Sequence, residues 1–241
     1  MRVQEAIQVV TEARKQAASR VALYPYNSYM NSSYLNQLLS AEHSDLESFV
    51  ANKRILDIGC GDGDMAFICE MIGAKQVAAL DWADTNFNFM QGVRTLREQL
   101  HSKVHIFSGN LEDMDLSFLG IWDAILFLGT LYHLPNPIRV LRKLSVVAPQ
   151  IFASTRIFDV LPDNKNKFSD HRLGYLLNPA EANNDNTNWW ILTEAGVKTM
   201  FERSGWRVLN SHRIDQLVGK AEPAAADKDG RLFLRARSVY L

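Results

Sequence analysis

The sequence predicts an α/β protein built on a doubly wound, mostly parallel sheet, and three observations carry that expectation. Short apolar runs recur between residues 54 and 155, amphipathic stretches separate them, and the first run ends in a glycine turn that opens a helix. Strands covered on both faces read as continuous apolar runs, which is the pattern here.

Taken in order, residues 3–20 place Val3, Ile7 and Val10 at helical spacing, so an amphipathic helix is expected. The stretch "LYPYNSYMNSSYLNQLL" follows, with Tyr24, Tyr26, Tyr29 and Tyr34 set among asparagines and serines. Residues 44–47, "SDLE", have the spacing of a capping box and predict a helix from Asp45 to Asn52. Strands are expected at 55–59, 76–81, 104–109, 122–129 and 150–155, and helices at 64–72, 84–101 and 136–146, with a short one near 115–120. Residues 157–191 read as a polar and aromatic insertion after the fifth strand, and 193–206 resume a helix. Two last strands are expected at 207–214 and 231–241, joined by a weakly structured connector over 215–230, which makes seven strands. Arg231, Arg235 and Arg237 alternate on the final strand, a pattern of a solvated face or edge. Residues 1–52 then form an N-terminal helical cap on a domain of 53–241.

Composition limits the function. The chain has 241 residues, 47% hydrophobic and 22% charged, which suits one soluble α/β core. A formal net charge of -1 offers no general attraction for nucleic acid, so such a partner would need a local basic patch. Cys60 and Cys69 flank a turn and its helix, a poor arrangement for a disulfide and too few ligands for zinc. The six histidines are scattered, and no metal is expected. The first twenty residues carry charges throughout and no stretch approaches ~18 uninterrupted apolar residues, so neither export nor membrane spanning is expected and the cytoplasm is the simplest setting.

The glycine turn "LDIGCGDGD" narrows the chemistry. Gly59, Gly61 and Gly63 suit a tight strand-to-helix turn, but the dinucleotide fingerprint needs glycine at position 64, where Asp64 stands. Asp62 and Asp64 would repel a pyrophosphate at the helix N-terminus. S-adenosylmethionine, with a sulfonium, an amino-acid tail and no phosphate, fits better. Asp81 ends the second strand, where an acid can accept hydrogen bonds from ribose hydroxyls, and Trp82 can lie against adenine. After the third strand Asn110 or Glu112 could bind the adenine edge, with the Leu111 backbone beside it. The fourth strand ends at Leu128 and Gly129 and then offers Tyr132 and His133.

With "LDIGCGDGD" and "ALDW" in place, residues 50–240 resemble a class I S-adenosylmethionine-dependent methyltransferase. "LGTLYHLPNP" and "NWWILTEAGVKTMFERSGW" are similar to a narrower group that includes tRNA wobble-uridine carboxymethyltransferases and relatives acting on small molecules. The resemblance implies a Rossmann-like seven-stranded sheet and cofactor contacts from Asp57, Gly59, Cys60, Gly61, Asp81, Trp82, Asn110, Leu111, Glu112, Leu128 and Gly129. His133 is the candidate general base, with a turn-capping role as its alternative, and Tyr132 could face the methyl or the acceptor. Tyr26 and Tyr29 could close as a lid or simply pack. Class I enzymes often build acceptor pockets after strand five, which makes Asp159, His171, Arg172, Trp189 and Trp190 acceptor candidates. The expected activity is methyl transfer to a small-molecule acceptor at oxygen. Two alternatives stand beside it, a tRNA uridine-modifying transferase and a catalytically silent cofactor binder. Acceptor identity and oligomeric state stay open.

Overall fold

The computed structural model describes residues 1–162, 166–214 and 218–241. Residues 163–165 of the expected insertion and 215–217 of the expected connector lie outside the described residues. The chain divides into two compact units, Met1–Leu126 and Phe127–Leu241.

The first unit carries helices α1 (Val3–Ala17), α2 (Asn31–Ser40), α3 (Leu46–Val50), α4 (Asp64–Met71) and α5 (Gln91–Gln99). Its strands are β1 (Arg54–Ile58), β2 (Gln76–Asp81) and β3 (His105–Ser108), with the start of β4 (Ala124–Leu128). All pair in parallel, in the order β3, β2, β1, β4. β1 and β2 are apolar and almost wholly buried, as expected for strands covered on both faces. α1 buries Val3, Ala6, Val10, Ala13 and Ala17, one stripe at helical spacing, and packs against α4 and α5.

Two local expectations change. Asp45, not Ser44, caps α3 by accepting the Ser48 amide at 2.7 Å, and Glu47 accepts the Val3 amide at 2.6 Å instead of closing a capping box. The helix expected at 84–101 begins at Gln91. Asn86 Oδ1 accepts the Asn88 and Met90 amides, and Asn88 Oδ1 accepts the Gly92 amide; these local bonds compete with the helical ladder and leave Met90 left-handed at φ 62°.

One cluster ties the N-terminal segment to the glycine turn. Arg14 on α1 donates through Nη1 to Asp62 Oδ2 at 3.2 Å and Asp64 Oδ1 at 2.8 Å, and through Nη2 to the Tyr24 carbonyl at 2.6 Å. The Tyr24 amide donates to Asp62 Oδ2 at 2.6 Å, Asn88 Nδ2 donates to Asp62 Oδ1 at 2.8 Å, and the Ser28 hydroxyl donates to Asp64 Oδ2 at 2.9 Å. The carboxylate side chains are 1% and 0% exposed, so Arg14 is the cation that offsets their desolvation. Gly92 permits this approach, since a Cβ there would stand 1.9 Å from Asp62 Oδ1.

The second unit carries β5 (Gln150–Ile157), β6 (Gly174–Leu176), β7 (Trp190–Leu192), β8 (Trp206–Arg213) and β9 (Gly230–Ser238), with α6 (Pro137–Leu144) and α7 (Glu194–Arg203). β5 pairs in parallel with β7 and antiparallel with β9, β6 is antiparallel to β7, and β8 to β9. β6 and β7 make a hairpin in the region of the expected insertion, which raises the strand count from the expected seven to nine among the described residues. β9 has partners on both sides, so the solvated-edge reading of its arginines fails at Arg235, which is buried and donates to Gln150. Arg237 is exposed as expected.

Arg14→Ala leaves two buried carboxylates facing each other without a cation. It should lower stability by about 3–5 kcal/mol in urea unfolding, whereas Arg14→Lys, which keeps the charge and loses the fork, should lose less; equal stability of Arg14→Ala and the parent would show that the cluster does not hold this unit.

Candidate functional site

The glycine turn is built by left-handed backbone at Gly59, Gly61 and Gly63, with φ of 70°, 57° and 86°. Their surroundings differ. A Cβ on Gly63 would collide with Val93 and Phe67 at 2.7 and 2.9 Å, so that glycine serves packing, while Gly61 has nothing within 4 Å of the same point. The Gly61 backbone is therefore bare on the side where a ligand can approach. Its amide is aimed at Asp81 Oδ2, 2.8 Å away. Asp81 also accepts the Trp82 amide at 2.7 Å and Asn86 Nδ2 at 3.0 Å. Burial pushes the Asp81 carboxyl up, and these three N–H donors oppose the push.

Asp57, buried beneath the turn, goes further: burial, then the charges of Asp81 and Asp64, raise its carboxyl to about 7 against the pull of the Ala66 amide. Burial likewise raises the Cys60 thiol well above its ordinary value, so it is an inert buried group at neutral pH. Trp82 and Phe87 are exposed. Asn110 is turned onto its own loop, with Oδ1 accepting the Glu112 amide and Nδ2 donating to Asp113, while Leu111 is buried. Tyr26 is exposed with its ring 5.2 Å from that of Tyr24, and Tyr29 is half-buried.

The acids of the turn do not act as the sequence alone suggests. Asp62 and Asp64 are held by Arg14, so they face inward and part of their repulsion toward a pyrophosphate is cancelled. The turn is still net negative, with Asp57 and Asp81 beside it.

In the second unit, Leu128 ends β4 and the Gly129 amide donates to the Ser154 carbonyl at 3.0 Å with φ 76°. Leu131–His133 form a short 3-10 turn. The Tyr132 carbonyl accepts the Trp189 amide at 2.8 Å, and its hydroxyl takes a hydrogen bond from Arg231, which also bonds Asp229. His133 lies 4.3 Å from the Tyr132 ring and its Nδ1 is 2.8 Å from Thr187 Oγ1. Thr187 has one hydroxyl proton and gives it to Asp185 Oδ1 at 2.6 Å. His133 therefore donates from Nδ1, and in the neutral ring the lone pair sits on Nε2. Burial lowers the His133 pKa, which the Asp185 charge partly restores, so the ring is neutral at pH 7. Asp185 and Thr187 were not singled out in the sequence: a polar loop of asparagines gives no periodic signal for a threonine that orients a histidine 54 residues away.

The remaining acceptor candidates separate. Asp159 is fully buried, bonded by both Arg213 Nη atoms at 2.8 and 2.7 Å and by the amides of Gly219 and Ala221, so its carboxylate is engaged in holding loops together. His171 and Arg172 are exposed, with Arg172 Nε donating to Thr199 at 3.1 Å. Trp189 is exposed, and Trp190 Nε1 donates to the Pro135 carbonyl at 3.1 Å. No group of His, Cys, Asp and Glu among the described residues could hold a metal ion, and no helix among them is long and apolar enough to cross a membrane.

A family model described as a methyltransferase domain matches residues 26–211. The chain is similar to a probable protein arginine N-methyltransferase 6.2 of Oryza sativa subsp. indica, 34% identical over 83 residues that cover 34% of this chain and 19% of that protein. It is also similar to the ubiquinone biosynthesis O-methyltransferase of Chromobacterium violaceum, 28% identical over 109 residues and 45% of each chain. The matches thus span less than half the length of these relatives. In fold it is similar to the N-terminal domain of EvdMO1, crystallised in the presence of SAH and D-fucose, with a TM-score of 0.57, 17% identity and coverage of 95% of this chain and 96% of that one.

Asp57 gives the folded state a pH signature. Its carboxyl titrates near 7 when folded and near 3.8 when unfolded, so between these values the folded state binds more protons and stability falls as pH rises, flattening above 7. The Asp57 contribution should be on the order of a few kcal/mol, and in urea unfolding from pH 4.5 to 8 Asp57→Asn should lose this slope. Parallel profiles for parent and variant would contradict the assignment.

Proposed function

This chain belongs to the methyltransferase-domain family, and from that premise we propose that it transfers the methyl group of S-adenosylmethionine to an oxygen of a small-molecule acceptor. The observation that carries the cofactor half is the bare left-handed backbone at Gly61 beside an Asp81 carboxylate already held by three N–H donors. Asp81 has acceptor capacity left for ribose hydroxyls, Trp82 is free to lie on adenine, and the Leu111 amide serves its edge. Glu112 is half-buried beside it. Asn110, held by its own loop, acts by shaping that loop. Asp57 and Asp81 supply the negative field that a sulfonium and an ammonium relieve. S-adenosylmethionine brings the electrophilic methyl; the chain aligns it and excludes water. Residues 1–52 we read as a helical cap on the remainder, anchored through Arg14.

His133 serves in this reading as the general base. Asp185 and Thr187 fix the proton on Nδ1, Nε2 takes the proton of an acceptor hydroxyl, and burial keeps the ring unprotonated at neutral pH. Tyr132, whose ring is tilted against the imidazole, packs beside it. Trp189 and Trp190, with the exposed His171 and Arg172, are the groups available to an acceptor, and Tyr26 and Tyr29 the groups available as a lid. Methylation at oxygen is favoured by the resemblance to the ubiquinone biosynthesis O-methyltransferase. A small acceptor, rather than tRNA, is supported by the net charge of -1, which offers no general attraction for a polyanion.

Calorimetry should give micromolar binding of S-adenosylhomocysteine and much weaker binding of NAD. Asp81→Ala should cost about 1.5–3 kcal/mol of that affinity. Tight NAD binding without any response to S-adenosylhomocysteine would overturn the cofactor assignment.

Incubation of cell extract with the protein and methyl-labelled S-adenosylmethionine, read by mass spectrometry, should place label on a small molecule and not on RNA. His133→Ala should lower that turnover by ~10²–10⁴-fold with S-adenosylhomocysteine affinity unchanged, and the acidic limb of the parent's pH profile should vanish. Label on tRNA would overturn the acceptor reading, and a fully active variant would remove His133 as the base.

A further inference from the structure

We propose that the cleft between α6 and the β6–β7 hairpin is a binding site for an amphipathic organic acid, a single carboxylate or sulfonate on an apolar body. The cleft has a volume of about 750 Å³, in the range of pockets that take one small organic molecule. Its lining divides by chemistry. Trp190, Leu192 and Met200 supply an apolar surface, its floor, and Arg139, Arg142 and Lys143 supply positive charge, with no carboxylate in the lining.

The helix explains why the cations gather there. α6 buries Pro137, Val140, Leu141 and Leu144, so its other face presents Ile138, Arg139 and Arg142 to solvent, with Ile138 and Arg142 one turn apart. Ile138 is 48% exposed, an apolar side chain at the mouth of an apolar cleft. Neither Arg139 nor Arg142 forms an ion pair with a carboxylate among the described residues. In a chain of net charge -1 this is a local excess of positive charge with an apolar surface beneath it. A neutral ligand would leave the guanidinium groups unused, and a polyanion would leave the floor unused; an acid with an apolar body uses both.

The floor is held open by construction. Gly174 on β6 lies over it, and a Cβ there would stand 3.2 Å from Leu192 Cδ2 and 3.8 Å from Trp190 Cε3. The Trp190 indole is fixed by its bond to the Pro135 carbonyl, and the neighbouring Trp189 amide by its bond to Tyr132. The indole of the floor is therefore set in place before a ligand arrives.

The probe is 8-anilinonaphthalene-1-sulfonate, followed by fluorescence on the full chain, with decanoate as competitor. It should bind one to one, and decanoate should displace it at concentrations where decyltrimethylammonium does not. The double variant R139S/R142S, altered at two exposed positions, should keep the parent melting temperature and bind the probe at least ten-fold more weakly. Equal displacement by decanoate and decyltrimethylammonium would overturn the proposal, as would unchanged affinity in a folded R139S/R142S. A short oligouridylate that competes below the decanoate concentration would assign the cleft to RNA instead. Loss of a dimer in R139S/R142S by ultracentrifugation, with no probe binding to the parent, would assign it to a second copy of the chain.

Discussion

Two carboxylates buried side by side at the start of α4 are the constraint from which the first unit is organised. Asp62 and Asp64 are out of water, and unanswered mutual repulsion at that depth would destabilise the turn. The cation that prevents this comes from α1, on the far side of the tyrosine-rich stretch, so the N-terminal segment has to be docked before the glycine turn can hold its shape. The same guanidinium binds the Tyr24 carbonyl while the Tyr24 amide binds Asp62, and this fixes the course of the chain between α1 and α2. Gly92 then has to be glycine because α5 runs against the Asp62 carboxylate. The shape of the glycine turn is thus set by an ion pair to a helix at the start of the chain. In this unit a sequence feature that looks like a binding determinant is the anchor of the scaffold, and the open side of the turn is left to the Gly61 backbone with Asp81 beside it.

How much could be read in advance followed from how local each signal was. The five first strands and most helices were legible because burial on both faces leaves a continuous apolar run, and residue type alone reports it. The β6–β7 hairpin was not, since three-residue strands are too short to show a period and most of their neighbours are polar. Arg235 shows a different limit: alternation on a strand reveals which residues share a face, but whether that face is covered depends on partners, and β9 is paired on both edges with β5 and β8. Asn86 and Asn88 replaced the first turns of a helix by side-chain bonds to the backbone, a competition that spacing cannot resolve. At the candidate site, Gly61 and Asp81 could be picked out because the glycine turn and the acid at the end of the next strand are local features of the sequence. Arg14, Thr187 and Asp185 could not, because their roles exist only through residues distant in the chain.

The second unit shows the same residue type put to two uses. Asp159 and Asp185 are both aspartates of the insertion region. The first meets a two-pronged guanidinium and two amides, and although burial pushes its carboxyl up, these donors bring it below its ordinary value. Its lone pairs are committed to structure. Asp185 instead accepts one hydroxyl proton from Thr187 and through it selects the tautomer of His133. That choice matters for chemistry, since it puts the basic nitrogen on Nε2 and leaves the ring unable to rotate without breaking a bond to an anion-polarised hydroxyl.

The field around the glycine turn then argues for the kind of ligand it accepts. Four carboxylates, Asp57, Asp62, Asp64 and Asp81, lie within one strand–turn–helix neighbourhood, and one guanidinium answers two of them. The charges of Asp81 and Asp64 both help hold Asp57 near neutrality in its titration. A phosphate placed at Gly61 would meet this negative field at close range and raise the Asp57 and Asp81 carboxyls further. A ligand carrying a sulfonium or an ammonium would do the opposite: it would let Asp57 ionise and would gain from the same desolvation that now penalises it. A glycine turn that opens a helix would by itself suit either ligand, since a helix N-terminus is the ordinary setting of a phosphate. The discrimination comes from the acids that Arg14 leaves unanswered.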